Sequence, residues 1–284
     1  GKDANFALAH SALADAYVLF AFVALLPPRE ALEKARAAAR RALEIDGELP
    51  EALASCASVT KLYDWDWTAA EREYRKCLEI DPNHAIARRG YGGFLCALGR
   101  TEEALAEVHK AQELDPMSLV IGVEVAWNLY MAREYEKSAR QSARTIEIEP
   151  EFPATRHTLG LALEQLGKYD EAIECFKKTA ERSEMHQSAV ASLAHAYAGC
   201  GRKKDAGAIL NDLEAESCKR YVAPYLLSVI HSGLGENEKA VASIEKAFDA
   251  HDVWLIWLNR DPRFDPLRNE PRFRDVLRRM NFPA

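Results

Sequence analysis

Small and large apolar residues recur along this chain with a spacing of 34 residues. Pro82, Pro116 and Pro150 each follow an apolar and an acidic residue, and successive prolines lie 34 residues apart. Such a period indicates a repeat architecture, because each repeat is one supersecondary unit that packs on its neighbours. Counting each proline as position 32 predicts units at 51–84, 85–118, 119–152, 153–186, 187–220 and 221–254.

Within each unit, small residues alternate with larger apolar residues at fixed positions. Position 20 is alanine in five units and serine in the other, and position 8 is always glycine, alanine or serine. Larger residues such as Leu159, Leu163 and Phe176 fill positions 7, 11 and 24. Small side chains are needed where two helices approach closely. Each unit is therefore predicted to form two antiparallel helices, A and B.

The turn from helix A to helix B also has a signature. Position 15 is glycine in four units, and glycine accepts the left-handed conformation that follows a helix end. In the unit 51–84, the segment Tyr63-Asp64-Trp65-Asp66-Trp67 occupies this turn. We expect Asp66 to cap helix B, since its side-chain oxygen can accept a hydrogen bond from a free backbone N–H, and Trp67 to pack in the turn.

An earlier unit, 7–50, carries the same pattern after an insertion marked by Pro27-Pro28, which brings the expected number of units to seven. Residues 3–5 match residues 81–83, which end the unit 51–84, so they are expected to be the end of a further unit that precedes residue 7. We therefore expect the chain to be a fragment of a longer protein that continues upstream.

The pattern resembles the tetratricopeptide repeat family. The clearest stretch is Leu159-Gly160-x-x-Leu163 followed by Gly167-x-Tyr169-x-x-Ala172-x-x-x-Phe176, and the resemblance covers residues 7–254. It implies an all-α fold, a right-handed α-solenoid of antiparallel helix pairs that forms one continuous domain. Stacked neighbours supply the core of such an array, since one pair cannot bury its apolar face alone.

Residues 255–284 depart from the period and are predicted to form C-terminal capping helices. Asp261-Pro262-Arg263-Phe264 and Glu270-Pro271-Arg272-Phe273 each place proline after an acid, which is a helix-start signal. With the Pro27-Pro28 insertion and the Tyr63–Trp67 segment, this ending resembles one bacterial subgroup. There, such arrays form the C-terminal region of signalling proteins with an N-terminal winged-helix DNA-binding domain, serine/threonine kinase or nucleotide cyclase.

Charge and hydropathy exclude several classes of function for this chain. The net charge of −7 gives no counterion-release drive toward nucleic acid. The longest apolar run, 16–26, is shorter than the roughly 20 residues that span a bilayer. We therefore expect neither nucleic-acid binding nor membrane insertion by this chain. Six scattered cysteines favour a cytoplasmic location, and an extracytoplasmic one is the alternative if a transmembrane helix lies upstream.

No catalytic motif stands out in the sequence. It contains neither H-E-x-x-H nor G-x-S-x-G, and no two of its eight histidines are four residues apart on one helical face. The sequence therefore predicts a protein that is not an enzyme and holds no metal or cofactor.

The resemblance implies that helix A lines a concave binding wall through positions 2, 5, 9, 12 and 13. Trp127, Tyr130 and Met131 share this wall in one unit, and aromatic residues and arginine dominate binding hot spots while methionine adapts to several partners. The predicted partner-binding groove comprises Arg89, Trp127, Tyr130, Met131, His157, Gln165, His195 and Tyr225. The alternative is that a neighbouring helix or the superhelix turn covers these residues.

Together these features predict a non-enzymatic protein-interaction or sensory module that holds a protein or peptide segment in its concave groove, as the C-terminal part of a larger bacterial signalling protein. The alternative is the regulatory region of a winged-helix transcriptional regulator, kinase or cyclase that acts mainly by self-association.

Overall fold

The computed structural model describes residues 4–181 and 186–283, and all regular secondary structure in these ranges is helical. Residues 1–3, on which the expected upstream continuation partly rests, lie outside the described residues. The helix pairs, A before B, are α1 (Ala4–Phe22) and α2 (Pro28–Ile45), α3 (Pro50–Val59) and α4 (Trp67–Ile80), α5 (Ala85–Ala97) and α6 (Thr101–Leu114), α7 (Leu119–Met131) and α8 (Tyr135–Ile148), α9 (Pro153–Gln165) and α10 (Tyr169–Ala180), α11 (His186–Gly199) and α12 (Lys203–Ser217), α13 (Pro224–Leu234) and α14 (Asn237–Asp249). A π-helical turn (Thr60–Asp64) extends α3, and two 3-10 segments (Val253–Trp257 and Pro262–Leu267) precede α15 (Pro271–Arg279).

The helices stack as an α-solenoid whose A helices form the inner wall. Each A helix packs on the B helix of its own pair and on the next A helix along the chain, for example α5 on α7 and α7 on α9. None of the helices in the described ranges is both long enough and apolar enough to cross a membrane.

Close helix contacts explain the small residues of the repeat. A Cβ atom on Gly92 would lie 2.4 Å from Cγ1 of Val108, and one on Gly160 would lie 2.6 Å from Cε1 of Phe176. Both distances are far shorter than van der Waals contact, so helices A and B of these units meet through a bare backbone.

The turns after the A helices adopt the left-handed conformation at position 15. The four glycines there have φ between 74° and 85°, and Trp65 (φ 49°) and Arg133 (φ 68°) adopt the same conformation despite their side chains. In the Trp65 turn, the carboxylate of Asp66 accepts a 3.0 Å hydrogen bond from the backbone N–H of Ala69 and so caps α4.

The superhelix closes on itself, so the second helix pair meets the seventh. The indole ring of Trp65 stacks on His251 and on Phe248, with ring centroids 4.9 and 4.8 Å apart. On the first pair, a guanidinium nitrogen of Arg29 lies 3.4 Å from the carbonyl oxygen of Asp249.

Residues 253–283, called the tail below, cap the last pair and then reach further. The helix α15 packs on α14, where the Arg272 guanidinium pairs with Glu245 at 2.5 Å. The two 3-10 segments instead turn inward, against α13 and the first helix. The C-terminal end arrives at the second pair, where the ring of Phe282 lies 4.8 Å from that of Trp67. The tail therefore crosses the concave side of the solenoid instead of covering only its end.

Candidate functional site

The tail divides the concave side into two parts. The covered half is the inner face of α7, α11 and α13, on which the two 3-10 segments lie. The open half is formed by the inner faces of α1, α3, α5 and the first turns of α7, which border a cavity of about 320 Å³. The tail therefore covers one half of the concave groove and leaves the other half open.

Aromatic rings fill the boundary between the halves. The Trp127 indole lies 5.3 Å from the ring of Trp257 and 6.4 Å from that of Trp254. Phe22, at the end of α1, meets Trp254 edge-on at 5.4 Å. Edge-to-face and tilted arrangements at these distances are favourable for aromatic pairs. The first 3-10 segment is thus held between helices that are remote in sequence.

A buried polar network anchors the second 3-10 segment in the covered half. The Tyr225 hydroxyl donates a 2.8 Å hydrogen bond to Oδ2 of Asp261, which pairs with the Arg263 guanidinium at 2.6 Å. The same guanidinium donates to the Ser192 hydroxyl at 3.2 Å, and that hydroxyl lies 3.1 Å from Nε2 of His157. Asp261 and Arg263 are almost completely buried, and an unpaired charge at either residue would be unfavourable there. Each of the two charges is neutralised by the other.

Burial and charge shift the pKa values in this network. Burial would raise the pKa of Asp261, but the Arg263 guanidinium and several hydrogen bonds hold it below its usual value. Burial raises the pKa of Tyr225 well above its usual value, and the Asp261 charge adds to this effect. For His157, burial together with the nearby Arg263 charge lowers the pKa to about 3. At neutral pH the network therefore contains one ion pair, a neutral phenol and a neutral imidazole.

Five of the eight residues expected in the partner-binding groove are buried. Tyr130, Met131 and Tyr225 have no exposed surface, and Trp127 and His157 are at most 8% exposed. Three of them contact the tail or its polar network, as described above. In this structure these side chains serve interactions within the chain.

The other three expected residues lie apart from this cluster. Arg89 borders the open half, with its guanidinium 3.4 Å from the carboxylate of Glu124. Nδ1 of His195 lies 2.6 Å from Oε1 of Glu164. Gln165 ends α9 and is partly exposed. The eight residues therefore do not form one continuous binding surface.

The open half has an apolar wall with exposed side chains. Leu19, Ile86 and Val120 are 57%, 42% and 45% exposed and come from three different A helices. The full lining consists of Asp15, Val18, Leu19, Phe22, Ala54, Ser55, Ser58, Tyr74, Ile86, Arg89, Gly90 and Val120. These three exposed apolar side chains thus line one cavity and are not scattered singly over the surface.

Polar groups stand along the edge of this wall. Ser55 Oγ donates a 2.7 Å hydrogen bond to the carboxylate of Asp15, and Lys61 Nζ donates to the carbonyl oxygen of Gly90 at 3.3 Å. Arg89 Nε is buried and has no hydrogen-bond partner in the structure. The Arg89 side chain as a whole is 33% exposed, so part of it is accessible from the open half.

Sequence reasoning missed two parts of this site. Ile86 and Val120 stand at position 2 of their units, a concave position, but they are neither aromatic nor arginine and so carry no hot-spot signal. Asp261, Arg263 and Phe264 belong to the segment expected only to cap the array, because nothing local in the sequence shows that the tail turns inward. The repeat columns could have identified the first group, whereas the second depends on the shape of the whole superhelix.

The described residues contain no cluster of side chains suited to a metal ion, and two of their thiols are unreactive. Within 4–181 and 186–283, no three His, Cys, Asp or Glu side chains converge as a metal site would require. The cysteines are free thiols, and burial raises the pKa of Cys56 and Cys77 to about 12, which makes these two unreactive at neutral pH.

Comparison with known proteins identifies tetratricopeptide repeats in three stretches of the chain. Sequence models of the tetratricopeptide repeat match residues 64–120, 153–184 and 225–250. A solved tetratricopeptide repeat protein from Parabacteroides merdae superposes with a TM-score of 0.60 at 14% identity, over 96% of this chain and 98% of that one. At this identity the superposition shows the shared fold alone.

Two curated relatives share part of the array. Transcriptional regulator HilA of Salmonella typhimurium is 26% identical over 121 residues, which are 43% of this chain and 22% of HilA. Type IV pilus assembly protein PilF of Pseudomonas aeruginosa is 37% identical over 81 residues, which are 28% of this chain and 32% of PilF. The chain thus spans about a fifth of HilA and about a third of PilF.

The matched segments lie in the second and third, fifth and seventh helix pairs, and they agree with a solenoid that is built throughout from such pairs. Arrays of this kind use their extended concave surfaces for binding. The chain therefore contains tetratricopeptide repeats, which the sequence models match in these four helix pairs.

Proposed function

We propose that this chain is a non-enzymatic module that binds a segment of a partner protein in the open half of its concave groove. The observation that carries the proposal is the set of exposed apolar side chains, Leu19, Ile86 and Val120, which line one cavity from the A helices α1, α5 and α7. Tetratricopeptide repeat proteins are generally scaffolds without enzymatic activity, which supports the same assignment.

The shape of the open half favours a partner segment with one apolar face. Ala54, Ser55 and Gly90 are small and form part of its lining, so a partner backbone can approach closely. Apolar side chains of an amphipathic helix or an extended peptide would then fit between Leu19 and Ile86, a recurring mode of peptide recognition.

Arg89 supplies the polar part of the proposed interaction. Its pair with Glu124 is long, at 3.4 Å, and its side chain is 33% exposed. A partner carboxylate could therefore bind this guanidinium at the edge of the apolar wall, where water is partly excluded and arginine contributes strongly to binding.

A smaller hollow of about 180 Å³ continues the open half toward the tail. Trp127, His157 and Trp254 line it. We therefore retain Arg89, at the edge of the open half, and Trp127 and His157, in this hollow, as proposed partner contacts. Tyr130, Met131 and Tyr225 are covered by other parts of the chain in this structure and do not belong to the open half, and Gln165 and His195 remain proposals without a place in this surface.

Site-specific photo-crosslinking tests this function. A photoreactive phenylalanine analogue replaces Ile86 in the protein expressed in its source organism, and the adducts are identified by mass spectrometry. The matched control places the same analogue at Met117, which is 66% exposed and lies in the turn between two helix pairs. We expect a discrete protein adduct at Ile86 that is absent at Met117.

The partner identified in this way then allows a quantitative measurement. Ile86→Glu places a charge in the apolar wall and should weaken binding of the purified partner by roughly tenfold or more, whereas Met117→Glu should leave it unchanged. Equal adducts at both positions, or unchanged affinity of the Ile86→Glu variant, would show that the open half is not the binding site.

A second function is supported by the similarity to HilA, whose name describes a transcriptional regulator. Under this alternative the array is the regulatory region of a winged-helix regulator, or of a kinase or cyclase, and acts mainly by self-association in the cytoplasm. Light scattering across a concentration series measures self-association of this chain, and the gene sequence upstream identifies any output domain. A strictly monomeric chain would argue against dimerisation as its mode of action.

A further inference from the structure

The second 3-10 segment of the tail occupies the covered half in the manner of a bound peptide. Its Asp261 carboxylate accepts from the hydroxyl of Tyr225, and the ring of Phe264 meets that of Tyr225 edge-on at 5.2 Å. From α13, the Ser232 hydroxyl donates a 2.7 Å hydrogen bond to the carbonyl oxygen of Arg263. Side chains of the solenoid thus contact three groups of the sequence Asp-Pro-Arg-Phe: the Asp261 carboxylate, the backbone carbonyl of Arg263 and the ring of Phe264.

The arginine of this segment also contacts the groove. Arg263 donates to the Ser192 hydroxyl of α11 at 3.2 Å, and its charge is balanced by Asp261 of the same segment. The segment therefore brings its own counter-ion and needs only neutral donors and acceptors from the groove. A ligand of this composition can bind a buried surface without leaving an unpaired charge.

The tail does not satisfy every polar group of the covered half. The Tyr130 hydroxyl and Nε1 of Trp127, both on α7, are buried and have no hydrogen-bond partner in the structure. Buried polar groups are normally paired, and leaving one unpaired is unfavourable. The tail is therefore an incomplete match to the polar groups of the covered half.

We propose that the tail segment 259–268 is an intramolecular ligand, and that the covered half is a docking site for a partner protein segment of the same chemistry. Such a segment has an acidic residue two positions before an arginine and an aromatic residue directly after the arginine. The tail and the partner compete for this site, so displacement of the tail regulates it. This inference concerns the covered half and does not depend on the open half.

The attached tail competes strongly because it is tethered. A short linker gives an effective concentration in the millimolar range, so a free peptide of equal affinity cannot displace the tail at micromolar concentration. Weakening the tail's own anchors should therefore open the site to a peptide added from solution.

Fluorescence anisotropy with a labelled synthetic peptide of residues 259–268 tests the proposal on the full chain. The double substitution Arg263→Ala/Phe264→Ala removes two anchors from the attached tail. We expect this variant to bind the peptide at least roughly tenfold more tightly than the unaltered chain does. A peptide with alanine at both anchor positions should not bind. The control Arg278→Ala alters an arginine that is 81% exposed on α15 and should behave like the unaltered chain.

Hydrogen exchange on the unaltered chain provides a test that does not depend on a variant folding. The amides of Leu258 and Phe264 are hydrogen-bonded within the tail, so their exchange reports its release. We expect them to exchange faster than the core amides of α13, as a locally opening segment does.

Two outcomes would overturn the proposal. One is exchange of the tail amides only together with those of α13, which would make the tail a permanent part of the core. The other is a double variant that either keeps its helicity without binding the peptide or loses the helicity of the whole array.

Discussion

The indole Nε1 of Trp67 donates a 2.9 Å hydrogen bond to the carbonyl oxygen of Met280, 213 positions further along the chain. Trp67 begins α4 in the second helix pair, whereas Met280 follows α15 at the end of the tail. Both side chains are buried. This contact fixes where the tail ends and joins the second helix pair to the end of the tail, so the array is closed by contacts that no single repeat contains.

Trp67→Phe should weaken this closure without removing the aromatic ring. The substitution deletes the indole donor and leaves the Met280 carbonyl without it, so we expect a loss of about 1 kcal/mol in the free energy of unfolding. Urea unfolding followed by circular dichroism measures the difference. Hydrogen exchange of the C-terminal amides should accelerate more than exchange in α9, and a uniform change along the chain would contradict a local role for the bond.

A pH effect is expected from Asp252, which precedes the first 3-10 segment. Its carboxylate accepts hydrogen bonds from the backbone N–H groups of Tyr225 and Trp254. Burial nevertheless raises its pKa to about 6. The folded state therefore holds this proton more tightly than the unfolded state, and stability that is present below about pH 4 is lost as the pH rises toward 6.

Asp252→Asn should remove this dependence. The stability of the unaltered chain relative to the variant is expected to fall by about 3 kcal/mol between pH 3.5 and pH 7, since each pKa unit corresponds to about 1.4 kcal/mol. Because all other carboxylates titrate in both proteins, the difference between the two curves isolates this group. A difference that does not vary with pH would show that the Asp252 carboxyl titrates normally.

Arg133 offers a test of backbone strain. It adopts φ 68° at the turn position where four other pairs have glycine. Arg133→Gly and Arg133→Ala both remove the guanidinium that pairs with Asp265 at 2.8 Å, but only alanine retains a Cβ atom in the left-handed conformation. We expect the glycine variant to be more stable by about 1 kcal/mol in thermal or urea unfolding. Equal stability of the two variants would mean that this turn carries no conformational strain.

Two glycines inside helices should respond in opposite ways to the same substitution. In α9, a Cβ at Gly160 would lie 2.6 Å from the Phe176 ring, so Gly160→Ala should destabilise the protein by about 1–3 kcal/mol through overpacking. In α12, a Cβ at Gly207 would meet no atom within 4 Å, so Gly207→Ala should stabilise it by about 0.5–1 kcal/mol. Both substitutions raise helix propensity alike, so the difference in unfolding midpoint measures the helix contact, and midpoints that shift together would contradict it.

The groove residues show where sequence reasoning reaches its limit. The repeat period places Trp127, Tyr130 and Met131 on the inner face of an A helix, and the structure has them on α7. Whether that face is free cannot be read from the period, because Trp254 and Trp257, which lie against Trp127, come from outside the array. Aromatic residues that suggest a hot spot are equally suited to bury a segment of their own chain.

The sequence by itself determined the helix pairs, the turns between them and the stacking of one pair on the next. These features rest on contacts between neighbours, such as Gly160 against Phe176, so a period of 34 residues is sufficient to predict them. Only the tertiary structure decided that the tail fills half of the groove and leaves Leu19, Ile86 and Val120 exposed in the other half. The curvature of a solenoid is the sum of small rotations over all its repeats. The meeting of Trp67 with Met280 therefore depends on the whole array and leaves no local signal in the sequence.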